Sequence, residues 1–273
     1  MTEAQLVEIE AASAALPPRT QVALDFAELI SNDYLRLDLG TYRALEQYFS
    51  RAELTEIVAF CAWQFGGPRM LASWKAEDYK RGERPILDDL PVRLAYLDSR
   101  DDFAPPAQPP LPGKNPKTIL AIAERSGSPP LAWLRFLADQ PRVLEAWSSF
   151  YWTLLDSGVL PARLKHLVRV RMAQVIDCPE WVPEDTPRLL ELKIGFRERR
   201  ALEQNDADIF SAKELAVLAY AEEMSYGAGV DDAVFERLAS HCSEAELVEL
   251  GFLVASQNGV IRTFRWLSRV VCR

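Results

Sequence analysis

Few side chains in this sequence have the reactivity for chemistry, and most of them gather in one stretch. The chain has two histidines, His166 and His241, and four cysteines, Cys61, Cys178, Cys242 and Cys272. Cys178 follows Asp177, a residue suited to an N-cap, and precedes Pro179, which suits a first helical turn. That pattern sets the thiol beside a helix N-terminus, where the positive end of the dipole favours thiolate. His166 lies twelve residues before it and Asp185 seven after. The three types supply a nucleophile, a base and a group to orient the base. They converge only if the chain turns back after Val175, since one continuous helix would hold His166 and Cys178 about 18 Å apart. The alternative is a small buried hydrophobe at a helix junction.

A second polar pair, Asn258 and Arg262, lies one helical turn apart. Arg262 can grip a carboxylate through its planar fork, or form a salt bridge between two duplicated halves of the chain. His241 stands just before a helix start and is expected at the surface. Glycine-rich phosphate loops, a Gly-x-Ser-x-Gly elbow and metal-ligand clusters are absent, so no nucleotide, flavin or metal cofactor is expected.

The elements that must position these residues are helical. From Pro161, the residues Leu164, Leu167, Val168, Met172 and Val175 recur at spacings of one, three and four. They form one buried face, with Arg163, Lys165, Arg169 and Arg171 read as a solvated opposite face. Earlier, helices are expected over 2–16, 19–31 and 42–49, and after Ser50. Residues 131–158 read as two helices parted at Pro141, and their Trp133, Phe136, Trp147, Phe150, Tyr151 and Trp152 are core first and pocket lining second. Helices follow over 188–194, with Gly195 as C-cap, over 197–203 as a short, charge-rich surface helix, after Ser211, and over 260–271. Capping boxes are written at Ser50/Glu53, Ser211/Glu214 and Ser243/Glu246. Sustained period-two alternation is absent, so the pattern predicts an all-α fold.

The chain also repeats itself. ALDFAELIS (23–31) matches VLAYAEEMS (217–225), and residues 38–71 align without a gap on 231–264 with eleven identities. Ordinary residue usage gives about two. Gln64, Gly66 and Arg69 return as Gln257, Gly259 and Arg262. This is an internal, partial duplication: a truncated first repeat (1–75), a charged and proline-rich connection (76–125) and a second helical domain (126–273).

The segments LPARLKHLVRVRMAQ, SAKELAVLAYAEEMS and VDDAVFERLASHCSEAELVELGFLVASQNGVIRTF, with Cys178 between the first two, resemble the carboxymuconolactone decarboxylase and alkyl-hydroperoxidase-D superfamily. The resemblance implies that family's helical fold, helices over 131–158 walling a cavity, and assembly into a homo-oligomer. It also places Trp181, Asn258 and Arg262 toward a small-molecule ligand. The peroxidase-like branch has a Glu, twelve residues on a Cys, three further a second Cys, and four further a His. Here those positions hold His166, Cys178, Trp181 and Asp185. The decarboxylase branch uses a Glu and a His; Glu180 stands one position from that Glu, and Asp185 replaces the His. Pro183 and Pro187 also interrupt the helix that would set two thiols on one face.

Dithiol peroxidase activity is therefore not expected. Two readings remain open. One is a helical protein of this family that binds or scaffolds without catalysis. The other is an enzyme, either reducing peroxide through Cys178 alone or processing a small carboxylic acid with His166 and Asp185. The net charge of −9 and pI near 5.0 argue against nucleic acid or an anionic membrane as partner. The absence of a spanning apolar run, a signal pattern and disulfide spacing points to the cytoplasm.

Overall fold

Three helix starts are specified by a Ser and a Glu three residues apart, and each closes as expected. Backbone N–H groups of Ser50, Ser211 and Ser243 donate to the carboxylates of Glu53, Glu214 and Glu246 at 2.8, 2.9 and 2.9 Å. The serine hydroxyls accept from the glutamate N–H groups in return. Each box satisfies donors that a helix N-terminus leaves open.

The computed structural model describes residues 16–73, 131–182, 187–204, 206–226 and 229–270. The helix expected over 2–16 (apart from its last residue), the connection 76–125 and Asp185 lie outside them. Among the described residues there are eleven α-helices, two 3-10 turns and no strand, so the chain is all-α. The helices are α1 (Pro18–Asn32), α2 (Leu39–Glu46), α3 (Arg51–Ser73), α4 (Leu131–Leu137), α5 (Pro141–Asp156) and α6 (Ala162–Val175), followed by α7 (Pro187–Glu191), α8 (Phe196–Gln204), α9 (Ala212–Tyr226), α10 (Asp232–Ala239) and α11 (Glu244–Val270). The 3-10 turns are Tyr34–Arg36 and Pro179–Trp181. The closing helix, expected over 260–271, is the second half of α11, which runs unbroken from Glu244.

The long helices α3 and α11 cross at the centre with their backbones in contact. A Cβ on Gly66 would lie 1.9 Å from the Ala255 carbonyl oxygen, and one on Gly259 1.7 Å from that of Ala62. Only glycine allows this approach, and the relation is reciprocal: each helix gives a glycine to the other's alanine.

The flanking contacts are matched as well. Arg19 pairs with Glu53, and Lys213 pairs with Glu246. Ser31 donates to the Ala27 carbonyl and Ser225 to the Ala221 carbonyl, both at 2.7 Å. Arg69 reaches the Ser31 carbonyl as Arg262 reaches that of Ser225. One core runs through both parts, from Phe26, Leu29 and Leu45 to Leu167, Tyr220 and Phe264.

Candidate functional site

The helix α6 carries the candidate residues, and its environment differs from the expected one. Every side chain from Leu164 to Ala173 is buried, so there is no solvated basic face. Lys165 pairs with Glu249, Arg171 with Glu222 at 2.8 Å and Arg163 with Glu214 at 3.5 Å. Arg169 donates to the Trp181 carbonyl at 3.3 Å. Partners from α9 and α11 compensate charges that the local pattern assigned to water. Glu249 also accepts the Val159 and Leu160 N–H groups at 2.6 and 3.0 Å, which ties the loop before α6 to α11.

After Val175 the chain does turn back, and Asp177 makes the turn as a C-terminal residue instead of an N-cap. Its φ is 56°, in the left-handed region. The Asp177 N–H bonds the Gln174 carbonyl at 3.1 Å and the Cys178 N–H that of Ala173 at 2.8 Å, which completes a Schellman motif. The Asp177 carboxylate is taken by Arg265 and Arg269 at 3.1 and 3.3 Å. The same device ends α7: Lys193 has φ 57° and the Ile194 N–H returns to Leu189 at 2.8 Å. Gly195, the expected C-cap, instead donates its N–H to Glu198 at 2.9 Å and opens α8.

Cys178 therefore precedes a three-residue 3-10 turn, with no α-helix N-terminus beside it. Its side chain is buried, and burial, reinforced by Glu180, pushes the thiol up to about 12. Cys61 is pushed up to about 11 by burial, and Cys242 is raised by the same cause. None of the three has the electropositive, accessible setting that makes a reactive thiol.

His166 is shut in the core, and neither ring nitrogen has a partner among the described residues. Burial, followed by the charges of Arg169, Arg188 and Lys165, drives its pKa down to about 3. The charges that bear most on Cys178 are those of Glu180, Arg265 and Arg269. His166 lies within α6, and Cys178 lies beyond the turn that ends it. Arg169, three residues after His166 on α6, lies against an aromatic group centred on Trp181. Trp181 packs on Trp133, Tyr151 and Phe264 with centroids 6.3, 6.4 and 5.4 Å away. The Arg169 guanidinium lies 5.9 Å from the Tyr151 ring and 6.0 Å from that of Trp181, within cation–π range. The Trp181 indole N–H donates to Gln257 at 3.0 Å.

Arg262 spends its fork internally. Its Nε donates to Asn258 at 2.8 Å, its Nη2 to the Ser225 carbonyl, and Asn258 donates to the Met224 carbonyl. The guanidinium lies 3.9 Å from the Tyr34 ring centroid and 4.6 Å from that of Phe65, and burial pulls its pKa down to about 10. It ties the N-terminal helices to the rest through ring faces, where a salt bridge was the expected form of that tie. His241 is exposed.

A cavity of about 420 Å³ lies elsewhere, between the C-terminal half of α6, the Pro179–Trp181 turn and α8. Its lining includes Val170, Ala173, Val182, Phe196, Arg199 and Arg200. Sequence reasoning missed this site, having read α8 only as a short charged surface helix. It likewise missed Arg169, whose burial is set by residues far along the chain. No group of three or more His, Cys, Asp or Glu among the described residues could hold a metal ion, and no helix there is long and apolar enough to cross a membrane. Compared with known proteins, the chain matches no family model, no curated protein and no solved structure.

Proposed function

We propose that this chain is a carboxymuconolactone decarboxylase-like helical protein that has lost thiol chemistry and works by binding. The observation that carries this reading is Cys178: the one motif thiol is buried, with its pKa pushed up to about 12. Such a thiol holds almost no thiolate at neutral pH and presents no nucleophile to a peroxide. The matched contacts around α3 and α11 support reading residues 1–75 as a truncated copy of the later helices. The exposed Phe60, Trp63 and Leu71 along α3 support assembly into a homo-oligomer.

The test is alkylation of Cys178 against pH, read by peptide mass spectrometry with Cys61 and Cys242 as internal controls. Cys178 is expected to react only on unfolding, and the protein to turn over no peroxide. An apparent thiol pKa well below the free value of about 8.5, abolished in His166→Ala, would overturn the reading.

One observation favours a second reading, proton transfer on a small carboxylic acid. Among the described residues both ring nitrogens of His166 are unpartnered, and the charges of Arg169, Arg188 and Lys165 act on it. A useful base titrates near the working pH, whereas His166 sits near 3. An NMR titration that placed it near 7 in the presence of a small acid would establish this alternative.

A further inference from the structure

In the register that aligns residues 38–71 with 231–264, Phe60, Trp63 and Leu71 of α3 stand where α11 has Leu253, Ser256 and Phe264. On α11 those three positions are closed off, at 0, 6 and 2% exposure. That helix packs against α5, α6 and the Pro179–Trp181 turn, and Phe264 lies 5.4 Å from the Trp181 ring. Among the described residues nothing takes that place on α3. Phe60, Trp63 and Leu71 stay 63, 42 and 40% exposed.

Neighbouring side chains widen this stripe into a face. Trp63 meets the Phe150 ring of α5 edge-on at 5.1 Å and stacks with Phe252 of α11 at 6.5 Å. Val248, one turn before Phe252, is 47% exposed. Together the six side chains offer on the order of 400 Å² of apolar surface. A stable dimer takes about 800 Å² from each partner, a little over half of it apolar, so the face comes close to the apolar share that one side of a dimer needs. None of the six is charged, in a chain of net charge −9. Two such chains repel on average, and an uncharged face is where they can touch; a basic partner would be drawn to carboxylates instead.

We propose that this face is the contact between two copies of the chain, α3 against α3 about a twofold axis, so that each copy covers the stripe the other leaves open. The proposal rests on the homo-oligomer reading above by naming its surface, and it fails separately: a dimer made through another face would overturn the assignment and leave that reading standing. A reactive Cys178 would overturn the binding reading and leave this face as it is.

The test is sedimentation velocity on the full chain from about 1 to about 100 μM, the range of ordinary reversible dimers. A dimer is expected. Phe60→Asp and Trp63→Ser should each raise its Kd by about 100-fold or more, because every change enters a twofold interface twice. Both side chains are exposed in the single chain, so the variants should keep the wild-type far-UV dichroism. Leu190→Asp, an exposed leucine on α7, is the control and should dimerise as wild type does. A chain that stays monomeric at the highest concentration would overturn the proposal, and hydroxyl-radical labelling of Phe60 would then tell a bare face from one covered by residues 1–15 or 76–125. An oligomer with the same Kd in wild type, Phe60→Asp and Trp63→Ser would overturn it as well, by setting the contact elsewhere.

Discussion

A histidine shut among cations gives this protein a pH dependence that belongs to one side chain. His166 is buried, and its pKa is driven to about 3, first by burial and then by Arg169, Arg188 and Lys165. In the unfolded chain the same group titrates near 6.5. Below that value the unfolded state binds a proton that the folded state refuses. The contribution is therefore fully present above pH 6.5 and is lost as pH falls toward 3, by up to about 1.4 kcal/mol per pH unit. Urea denaturation at pH 6.5 and pH 5, where most carboxylates stay ionised, is the measurement. His166→Gln should lose up to one proton's worth of slope between those two pH values. An unchanged slope would mean that His166 is protonated in the folded core, and the cations around it would then need an anion among them.

The crossing of α3 and α11 makes the next prediction, and it is a paired one. Gly66→Ala and Gly259→Ala each drive a methyl group into a backbone carbonyl of the other helix, which no rotamer change can relieve. Each should cost about 3 kcal/mol or more, at the upper end of overpacking, and the two costs should be similar because the contacts are reciprocal. Gly67→Ala is the control, since nothing lies within 4 Å of its added Cβ; it should be neutral or slightly stabilising through helix propensity. Chemical denaturation of the three variants would decide the matter, and a tolerated Gly66→Ala would show that the helices can slide apart.

This crossing also shows what the sequence could and could not reveal. The glycines were visible as repeated positions and the capping boxes as three-residue patterns, because both are local. Lys165, Arg169 and Arg171 looked like a solvated face because their compensating groups, Glu249, Trp181 and Glu222, lie on other elements. Asp177 and Cys178 looked like a helix start, since an Asp before a Pro reads the same whether it opens a helix or closes one in the left-handed region. The cavity at α8 had no periodic signal at all, being made between α6, the Pro179–Trp181 turn and α8.

At the scale of the whole molecule, the question is whether residues 126–273 can stand without residues 1–75. The N-terminal helices cover one face of α11 with specific contacts. Trp266 donates its indole N–H to the Asp38 carbonyl at 2.8 Å and packs on Phe26 and Tyr42 at 5.1 and 6.0 Å. Arg262 sits over Tyr34 and Phe65, and Gly259 lies against Ala62. Removing residues 1–75 would expose a buried tryptophan, a desolvated guanidinium and a close-packed glycine face together, more apolar surface than a soluble monomer usually presents. The full chain should accordingly unfold in one cooperative transition, since both parts share a core. Expressed alone, residues 126–273 have a specific way to cover the face: Ala255 and Gly259 of one copy can meet Gly259 and Ala255 of another, repeating the crossing that Gly66 and Ala62 now make. Sedimentation equilibrium should find a dimer, or aggregate, whose unfolding midpoint depends on concentration, and adding residues 1–75 in trans should compete with that dimer. A monomeric fragment that melts at the full-length temperature would show the two parts to be independent, and would remove the structural reason for reading residues 1–75 as a partner of the later helices.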